Sequence, residues 1–197
     1  TLGVKVINAE SAGELERIAD TAVSCQTTAR VALRVNPNIG ADTHPHISTG
    51  LVTHKFGVPI AEARAIARRA DERPGLAFVG LHVHIGSQMV GLEPIRQAAA
   101  AVVSLARELR DDGVQVEHLD LGGGLGISYD EETVPLVQDY GAALVEAVRS
   151  SGLSLIVEPG RAVAGPAGAL LASVVDIKPR LDGTWFVVLD AGMSEFM

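Results

Sequence analysis

A run of three glycines, Gly122-Gly123-Gly124, follows a short apolar segment of the 197-residue sequence. Successive backbone N–H groups in such a run can cradle an anion such as a phosphate, because no side chain blocks the approach. A tight turn that serves only the fold is the alternative interpretation. The spacing matches neither a Walker A loop nor a Gly-x-Gly-x-x-Gly fingerprint, so it does not indicate a nucleotide.

A second candidate is the segment Glu158-Pro159-Gly160-Arg161, in which a carboxylate ends an apolar run. Burying that carboxylate is costly unless it meets a cation or a hydrogen-bond donor. The partner is either Arg161, in an internal ion pair, or the protonated ring nitrogen of a bound cofactor. In the second case the guanidinium of Arg161 is available for a phosphate or a carboxylate.

Two histidines, His82 and His84, lie two residues apart in a predicted strand, where both side chains point to one face. They are metal ligands together with Asp190, or core imidazoles bonded to the backbone, or His84 lies flat against an aromatic cofactor whose phosphate Ser87 binds. The other histidines fall in one predicted loop or at the far end of a strand: His44, His46, His54 and His118. Because a catalytic zinc site usually needs three protein ligands, we expect no metal.

Lysine is the residue that forms Schiff bases with aldehydes, and the sequence holds three, Lys5, Lys55 and Lys178. Lys55 lies in a long polar segment from 44 to 57, and long loops of this kind are often functional. Lysine is rarely buried, so we expect Lys55 to be a solvated charge.

Composition excludes several classes of protein. Hydrophobic residues make up 47% and charged residues 20% of the chain, which indicates a globular core and excludes disorder. Sixteen basic against 24 acidic residues give a net charge of -8, so we expect no binding to nucleic acid or to an anionic membrane surface. The single cysteine, Cys25, cannot form an internal disulfide. With no membrane-spanning stretch and no signal-peptide pattern, a cytoplasmic location is expected.

The elements that must position these residues form a strand–helix rhythm typical of α/β proteins. The predicted strands are Val4–Asn8, Val31–Asn36, Phe78–His84, Val116–Gly122, Leu153–Glu158 and Trp185–Asp190. The predicted helices are Ser11–Ala22, Ile60–Glu72, Leu92–Asp111 and Val134–Ser150. Ser11 and Glu14 have the spacing of a capping box, and Gly113 is placed to end a helix.

The absence of a hairpin signal predicts a parallel sheet, either open and doubly wound or closed as a (β/α) barrel. About five βα units are visible, and no linker divides them, so we assign one domain to residues 1–197. The candidate residues follow the carboxyl ends of the strands, where both architectures bind ligands.

Taken together, the motifs resemble the diaminopimelate decarboxylases, a branch of the pyridoxal-phosphate decarboxylases that share an alanine-racemase-like barrel. The matching segments stand in family order along essentially the whole chain. They are Ile7–Ser11 with Glu14-Leu15, Leu33–Pro37, His46–Gly50 with Lys55–Gly57, Gly80–Gln88, Leu119–Tyr129, Glu158–Arg161 and Asp190–Met193. Three of them in this order, His-Ile-Gly-Ser-Gln, Gly-Gly-Gly-Leu-Gly-Ile and Glu-Pro-Gly-Arg, make a highly specific signature.

The resemblance implies an α/β fold in which this chain forms about strands four to eight of a (β/α)8 barrel. It implies pyridoxal 5'-phosphate as cofactor, with Glu158 and His84 as catalytic residues. His84 would stack on the ring, Glu158 would pair with the pyridine nitrogen, and Arg161 would reach the substrate carboxylate or the phosphate. The other implied cofactor contacts are Ser87, Gly122, Gly123, Gly124, Pro159 and Gly160.

The activity implied is decarboxylation of meso-diaminopimelate to L-lysine and carbon dioxide by a homodimer. A decarboxylase of the same fold that acts on another amino acid, or a non-catalytic cofactor-binding relative, stays open at this point. None of the three lysines matches the family's Schiff-base lysine, and the family's C-terminal β domain is not in the chain. We therefore expect the chain to form a partial barrel of a larger parent enzyme. We expect this partial barrel to be inactive by itself.

Overall fold

The computed structural model of the protein describes residues 3–39, 55–129, 131–192 and 194. Most of the predicted loop, with His44, His46 and His54, lies outside these residues, and so does Met193. The chain divides into two compact units, residues 1–165 and 166–197. The assignment of one domain to the whole chain stays a prediction.

The first unit alternates short strands with longer helices. Its strands are β1 (Ile7–Ala9), β2 (Ala29–Asn36), β3 (Val58–Pro59), β4 (Leu76–His82), β5 (His118–Asp120) and β6 (Ser154–Ile156). Its helices are α1 (Ala12–Ser24), α2 (Ile60–Asp71), α3 (Glu93–Asp111), α4 (Val137–Arg149) and the short α5 (Gly160–Ala164). Every strand and helix predicted before residue 160 is confirmed, with shifted ends.

The helix ends follow from local side chains. The Ser11 hydroxyl accepts the backbone N–H of Glu14 at 3.1 Å, which confirms Ser11 as the N-cap of α1. The Glu14 carboxylate returns to the N–H of Glu10 at 2.6 Å, one residue before the position that a capping box predicts. Gly113 has a φ of 89° just after α3, the left-handed conformation that commonly follows the end of a helix.

The strands of the first unit pair in parallel, in the order β1-β2-β4-β5-β6, with β3 alongside β2. Apart from β3, each strand lies beside its neighbour in sequence. A doubly wound sheet reverses its strand order at a switch point, and this sheet has no such reversal among its described strands. The order is that of adjacent strands in a (β/α) barrel.

A side-chain contact across the sheet shows how strongly it curves. Asn8 is the middle residue of β1 and Asp120 is the last residue of β5, and their side chains are 3.3 Å apart. Because strands lie about 4.8 Å apart, three strand spacings would separate the two backbones by roughly 14 Å in a flat sheet. Two short side chains cannot bridge that distance, so β1 and β5 face each other across the concave side of a curled sheet.

The core lies between this sheet and the helices packed on it. The largest fully buried side chains are those of Phe78, Leu33, Leu81, Leu109, Leu119 and Leu144. They come from strands and helices alike, which agrees with the predicted parallel strands covered on both faces. The helices in the described part of the chain include none with the length and hydrophobicity of a membrane span.

The second unit is a hairpin, and here the prediction of a parallel strand at Trp185–Asp190 is wrong. Its strands β7 (Val174–Pro179) and β8 (Trp185–Leu189) pair antiparallel. The turn contains Asp182-Gly183, with Gly183 at a φ of 80° and the Arg180 N–H bonded to the Thr184 carbonyl at 2.9 Å. An Asp-Gly pair between two apolar runs is a hairpin signal, which the sequence interpretation missed.

Candidate active site

Gly122, Gly123 and Gly124 form a turn, the glycine turn, that lies between the ends of β4 and β6. The Glu158 N–H donates to the Gly122 carbonyl at 2.7 Å, and the Gly123 N–H donates to Nδ1 of His84 at 3.2 Å. A Cβ on Gly123 would overlap the Glu158 carbonyl oxygen. The absence of a side chain at Gly123 is therefore what allows the three strand ends to meet.

Two N–H groups of the predicted anion cradle already have partners inside the protein. The Gly122 N–H donates to Oδ1 of Asp120 at 2.9 Å, and the Gly123 N–H goes to His84. Gly122 has a φ of 64°, so a side chain there would be strained as well as crowded. The glycines thus shape the turn, and their contact with a phosphate stays a prediction.

His84 is a half-buried imidazole that the site keeps neutral. Its burial, helped by the positive charge of Arg34, lowers the pKa of His84 below the usual 6.5. The hydrogen bond that Nδ1 accepts from Gly123 places the remaining ring proton on Nε2. A neutral ring is the form best suited to stacking against another aromatic ring.

Arg34 is held beside this site by its own contacts. Its guanidinium forms an ion pair with Glu10 and lies 4.9 Å above the ring of Phe56. The other Glu10 oxygen accepts the Gly57 N–H at 2.6 Å. These contacts fix a positive charge next to His84, and the sequence interpretation named none of them.

Glu158 does not pair with Arg161, so the internal ion pair considered above is not formed among the described residues. Its carboxylate oxygen Oε2 lies 3.5 Å from Nε2 of the buried His82, and its side chain is 48% exposed. One ligand atom each from His82, Asp120 and Glu158 lie within 4.8 Å of one another. Asp120, at the end of β5, is therefore a site residue that the sequence interpretation missed.

Arg161 reaches back from α5 to the segment after β4. Its Nε donates to the Ser87 hydroxyl at 3.2 Å, and Nη1 donates to the hydroxyl of Tyr129. The contact brings together two predicted site residues that are 74 positions apart in the sequence. A hydroxyl and a guanidinium that converge in this way suit an oxyanion such as a phosphate or a carboxylate.

The metal-ligand alternative considered above combined His82 and His84 of the first unit with Asp190. Asp190 belongs to the second unit, where its carboxylate accepts the N–H of Ser173 at 2.7 Å. That bond lowers the pKa of Asp190.

The three lysines have separate surroundings. The charge of Lys5 acts on Glu117 and His118, at the amino-terminal edge of β5 and thus opposite the site. Lys55 is exposed, as predicted, with its Nζ 5.2 Å from the centre of the Phe56 ring. Lys178 lies on β7 of the second unit.

Three residues that the sequence interpretation passed over complete the site. Asn8 donates to Asp120, and Tyr129 accepts from Arg161. Tyr140 of α4 places its buried hydroxyl 3.4 Å from the Gly123 carbonyl, and burial raises its pKa to about 12. Asp120 carried a usable signal, because a carboxylate inside an apolar strand is as costly there as it is at Glu158.

Comparison with known proteins agrees with this geometry. Residues 1–165 match the family described as pyridoxal-dependent decarboxylase, pyridoxal binding domain. The chain therefore belongs to the pyridoxal-dependent decarboxylase family.

Among its relatives are the diaminopimelate decarboxylases. The enzyme of Neisseria meningitidis serogroup A is 44% identical over 195 residues, which are 99% of this chain and 48% of that protein. The enzyme of Pseudomonas aeruginosa is 42% identical over 196 residues, which are 100% of this chain and 47% of that protein. The crystal structure of the Helicobacter pylori enzyme complexed with L-lysine superposes with a TM-score of 0.87 at 39% identity, over 99% of this chain and 49% of that one.

These comparisons identify the curled parallel sheet as part of an alanine-racemase-like (β/α) barrel, which confirms the predicted fold class. The chain spans about half the length of the curated relatives it matches.

Proposed function

We propose that the protein takes part in the decarboxylation of meso-diaminopimelate to L-lysine and carbon dioxide, with pyridoxal 5'-phosphate as cofactor. One observation carries the proposal: Ser87 and Arg161 converge on one side of the glycine turn while Glu158 and His84 adjoin it. Relatives more than 40% identical over nearly the whole chain support diaminopimelate as the substrate.

The donor set fits the two ends of this cofactor. Ser87 and Arg161, joined at 3.2 Å, offer a hydroxyl and a cation to the phosphate or to a substrate carboxylate. Glu158 offers a half-exposed carboxylate to the ring nitrogen, and His84 offers a neutral ring to stack on. Gly122, Gly123, Gly124, Pro159 and Gly160 are proposed as further contacts around that phosphate and ring.

When bound, pyridoxal phosphate supplies an electron-accepting ring for the electron pair released as the substrate carboxylate leaves as carbon dioxide. A carboxylate at Glu158 stabilises the protonated ring nitrogen, and Arg161 orients the substrate or the phosphate. The homodimeric assembly and the cytoplasmic location stay predictions.

The test is an assay of the full-length parent protein with pyridoxal phosphate against diaminopimelate, ornithine and arginine. We expect carbon dioxide and lysine from diaminopimelate only. Release of carbon dioxide from another substrate, without lysine formation, would contradict diaminopimelate as the substrate and identify the other one.

The Glu158→Gln variant tests the role of the carboxylate. We expect turnover to fall roughly a hundredfold, while cofactor content and the thermal midpoint stay near those of the wild type. The matched control is Glu117→Gln, because Glu117 is an exposed glutamate paired with Arg30 at the opposite edge of the sheet. A lowered midpoint with wild-type turnover in Glu158→Gln contradicts the cofactor role.

A non-catalytic cofactor-binding protein is the second candidate, and the surroundings of the lysines favour it. Lys5 acts on Glu117 and His118 at the opposite edge of the sheet, and Lys55 is exposed with its Nζ 5.2 Å from the centre of the Phe56 ring. Binding of pyridoxal phosphate without release of carbon dioxide from any amino acid would support this candidate.

A further inference from the structure

Gln88 is the last residue of the motif Gly80–Gln88, and it has no part in the cofactor contacts proposed above. Its backbone has a φ of 58°, a left-handed conformation that residues other than glycine rarely adopt. Such a conformation is unfavourable and persists only where the surrounding contacts hold it. The side chain of Gln88 makes contacts of this kind.

The Gln88 amide bonds to both polar backbone groups of Ile127. Oε1 accepts the Ile127 N–H at 3.1 Å, and Nε2 donates to the Ile127 carbonyl. These partners fix which end of the amide is oxygen and which is nitrogen, because a carbonyl only accepts and an N–H only donates. A carboxylate or an ammonium group could make only one of the two bonds.

The two bonds extend a short pairing between the segment after β4 and the segment that leaves the glycine turn. The Met89 N–H donates to the Gly124 carbonyl at 2.8 Å, and the Gly126 N–H donates to the Met89 carbonyl at 3.1 Å. Gln88 therefore adds Ile127 to this pairing through its side chain.

Ile127 is in turn joined to Arg161 by two routes. Its side chain lies beside Gly165, the residue after α5, where an added Cβ would overlap Cδ1 of Ile127. Two residues after Ile127, Tyr129 accepts from Nη1 of Arg161 through its hydroxyl, and its ring centre is 5.9 Å from Cζ of that guanidinium. The helix that carries Arg161 and the tip of its side chain thus both contact the segment that Gln88 holds.

The position of the guanidinium matters because its contact with Ser87 is at the long end of the hydrogen-bond range. Nε of Arg161 donates to the Ser87 hydroxyl at 3.2 Å, and a displacement of about 0.5 Å would break that bond. Donors that are held in place before a ligand arrives bind it more tightly, because less ordering is needed on binding.

We propose that Gln88 is a positioning residue for Arg161, which it holds through Ile127 and Tyr129 in the orientation that binds an anion beside Ser87. The binding consequence rests on the proposed function, because that anion is the cofactor phosphate or the substrate carboxylate. The hydrogen bonds of Gln88 and the placement of Arg161 do not rest on it.

The first test uses the full-length parent protein without cofactor. In Gln88→Met the side chain keeps its length but loses both hydrogen bonds, so the Ile127 amide should exchange with deuterium about tenfold faster or more. Mass spectrometry of the peptide around Ile127 measures the rate. The matched control is Gln97→Met, because Gln97 is an exposed residue of α3 that donates to Glu93 at 3.1 Å. A wild-type rate at Ile127 in Gln88→Met overturns the proposal.

A second variant keeps this test decisive if Gln88→Met does not fold. Glycine adopts a φ of 58° without strain, so Gln88→Gly relaxes the backbone while it removes the same two bonds. We expect Gln88→Gly to fold and to show the same faster exchange at Ile127, and slow exchange there in the folded variant contradicts the proposal.

The orientation of Arg161 has its own readout in the cofactor-free protein. The Nε–H that donates to Ser87 gives a ¹⁵N signal in NMR spectra, which is identified by its loss in Arg161→Lys. We expect this N–H to exchange with water about fivefold faster or more in Gln88→Gly than in the wild type. An unchanged rate would show that Gln88 does not position Arg161.

The last test measures binding of pyridoxal phosphate by absorbance titration. We expect Gln88→Gly to raise Kd about fivefold, and Gln97→Met to leave it near the wild-type value. Because Gln88 and Tyr129 act on the same guanidinium, combining Gln88→Gly with Tyr129→Phe should raise Kd by less than the product of the two single effects. Effects that multiply fully contradict the route through Tyr129. If even the wild type does not bind pyridoxal phosphate, the proposed function fails, and the exchange rates still decide the placement of Arg161.

Discussion

Asn8 Nδ2 donates to Oδ2 of Asp120 at 3.3 Å, although the two residues are 112 positions apart and two strands lie between theirs. The contact joins β1 to β5 across the concave side of the sheet. The same Asp120 carboxylate accepts the Gly122 N–H. Asp120 therefore contacts both β1 and the glycine turn of the candidate site.

Asn8→Asp should destabilise the protein in a pH-dependent way. Two carboxylates at this distance cannot both ionise easily, so one of them acquires a pKa above its unfolded value. The folded state then binds more protons, and its stability falls as pH rises through that range. We expect a loss of about 1–3 kcal/mol near neutral pH that shrinks as the pH approaches about 4. Urea unfolding at both pH values measures it. Asn8→Ala, which adds no charge, should lack this pH dependence, and an equal loss at both pH values for Asn8→Asp would refute the argument.

Much of the fold follows from sequence because parallel strands covered on both faces are near-continuous apolar runs. Val31 to Asn36 and Phe78 to His84 are such runs, and both form strands. The hairpin was missed because its strands are apolar too, and only the Asp182-Gly183 pair distinguishes a turn from a crossover.

The candidate site, like the fold, could be predicted from the sequence only in part. The segments that end in Ser87 and Arg161 can be assigned to one edge of the sheet from the sequence, because the carboxyl ends of parallel strands share that edge. The contact between Asn8 and Asp120 could not be predicted, because it depends on how far the sheet curls, and residue spacing along the chain does not encode that curvature. The partners of the Gly122 and Gly123 N–H groups depend on the same three-dimensional detail.

A pair of glycine substitutions tests the steric role of the turn. In Gly123→Ala the new Cβ would overlap the Glu158 carbonyl oxygen, so we expect a loss of about 1–3 kcal/mol in the free energy of unfolding. Gly141 lies within α4 with no atom within 4 Å of an added Cβ. Gly141→Ala should therefore stabilise the protein by about 0.5–1 kcal/mol. Thermal unfolding of both variants measures the difference. An unchanged free energy of unfolding in Gly123→Ala would show that the turn can accommodate a methyl group.

Arg161→Lys should weaken binding of pyridoxal phosphate. The guanidinium donates to Ser87 and Tyr129 at once, whereas an ammonium group lacks this planar fork. We expect Kd, measured by absorbance titration, to rise about tenfold. Arg107→Lys is the control, because Arg107 donates to the Ser150 hydroxyl at 2.7 Å in the helix layer. Equal Kd values for the two variants would show that Arg161 is not part of the anion-binding site.

Acid should destabilise the protein in part through His118. Burial lowers the pKa of His118 below its usual 6.5, and its ring packs over Gly80, where an added Cβ would lie 2.6 Å from Nε2. Below pH 6.5 the unfolded chain therefore takes up this proton before the folded protein does. Because the unfolded state binds more protons there, stability falls as the pH is lowered through that window and is restored as it rises.

The His118→Asn variant loses packing at every pH, but its free energy of unfolding should fall less steeply than that of the wild type between about pH 7 and about pH 5. Urea unfolding at a series of pH values measures both slopes, and parallel slopes would mean that His118 titrates alike in the folded and unfolded chains.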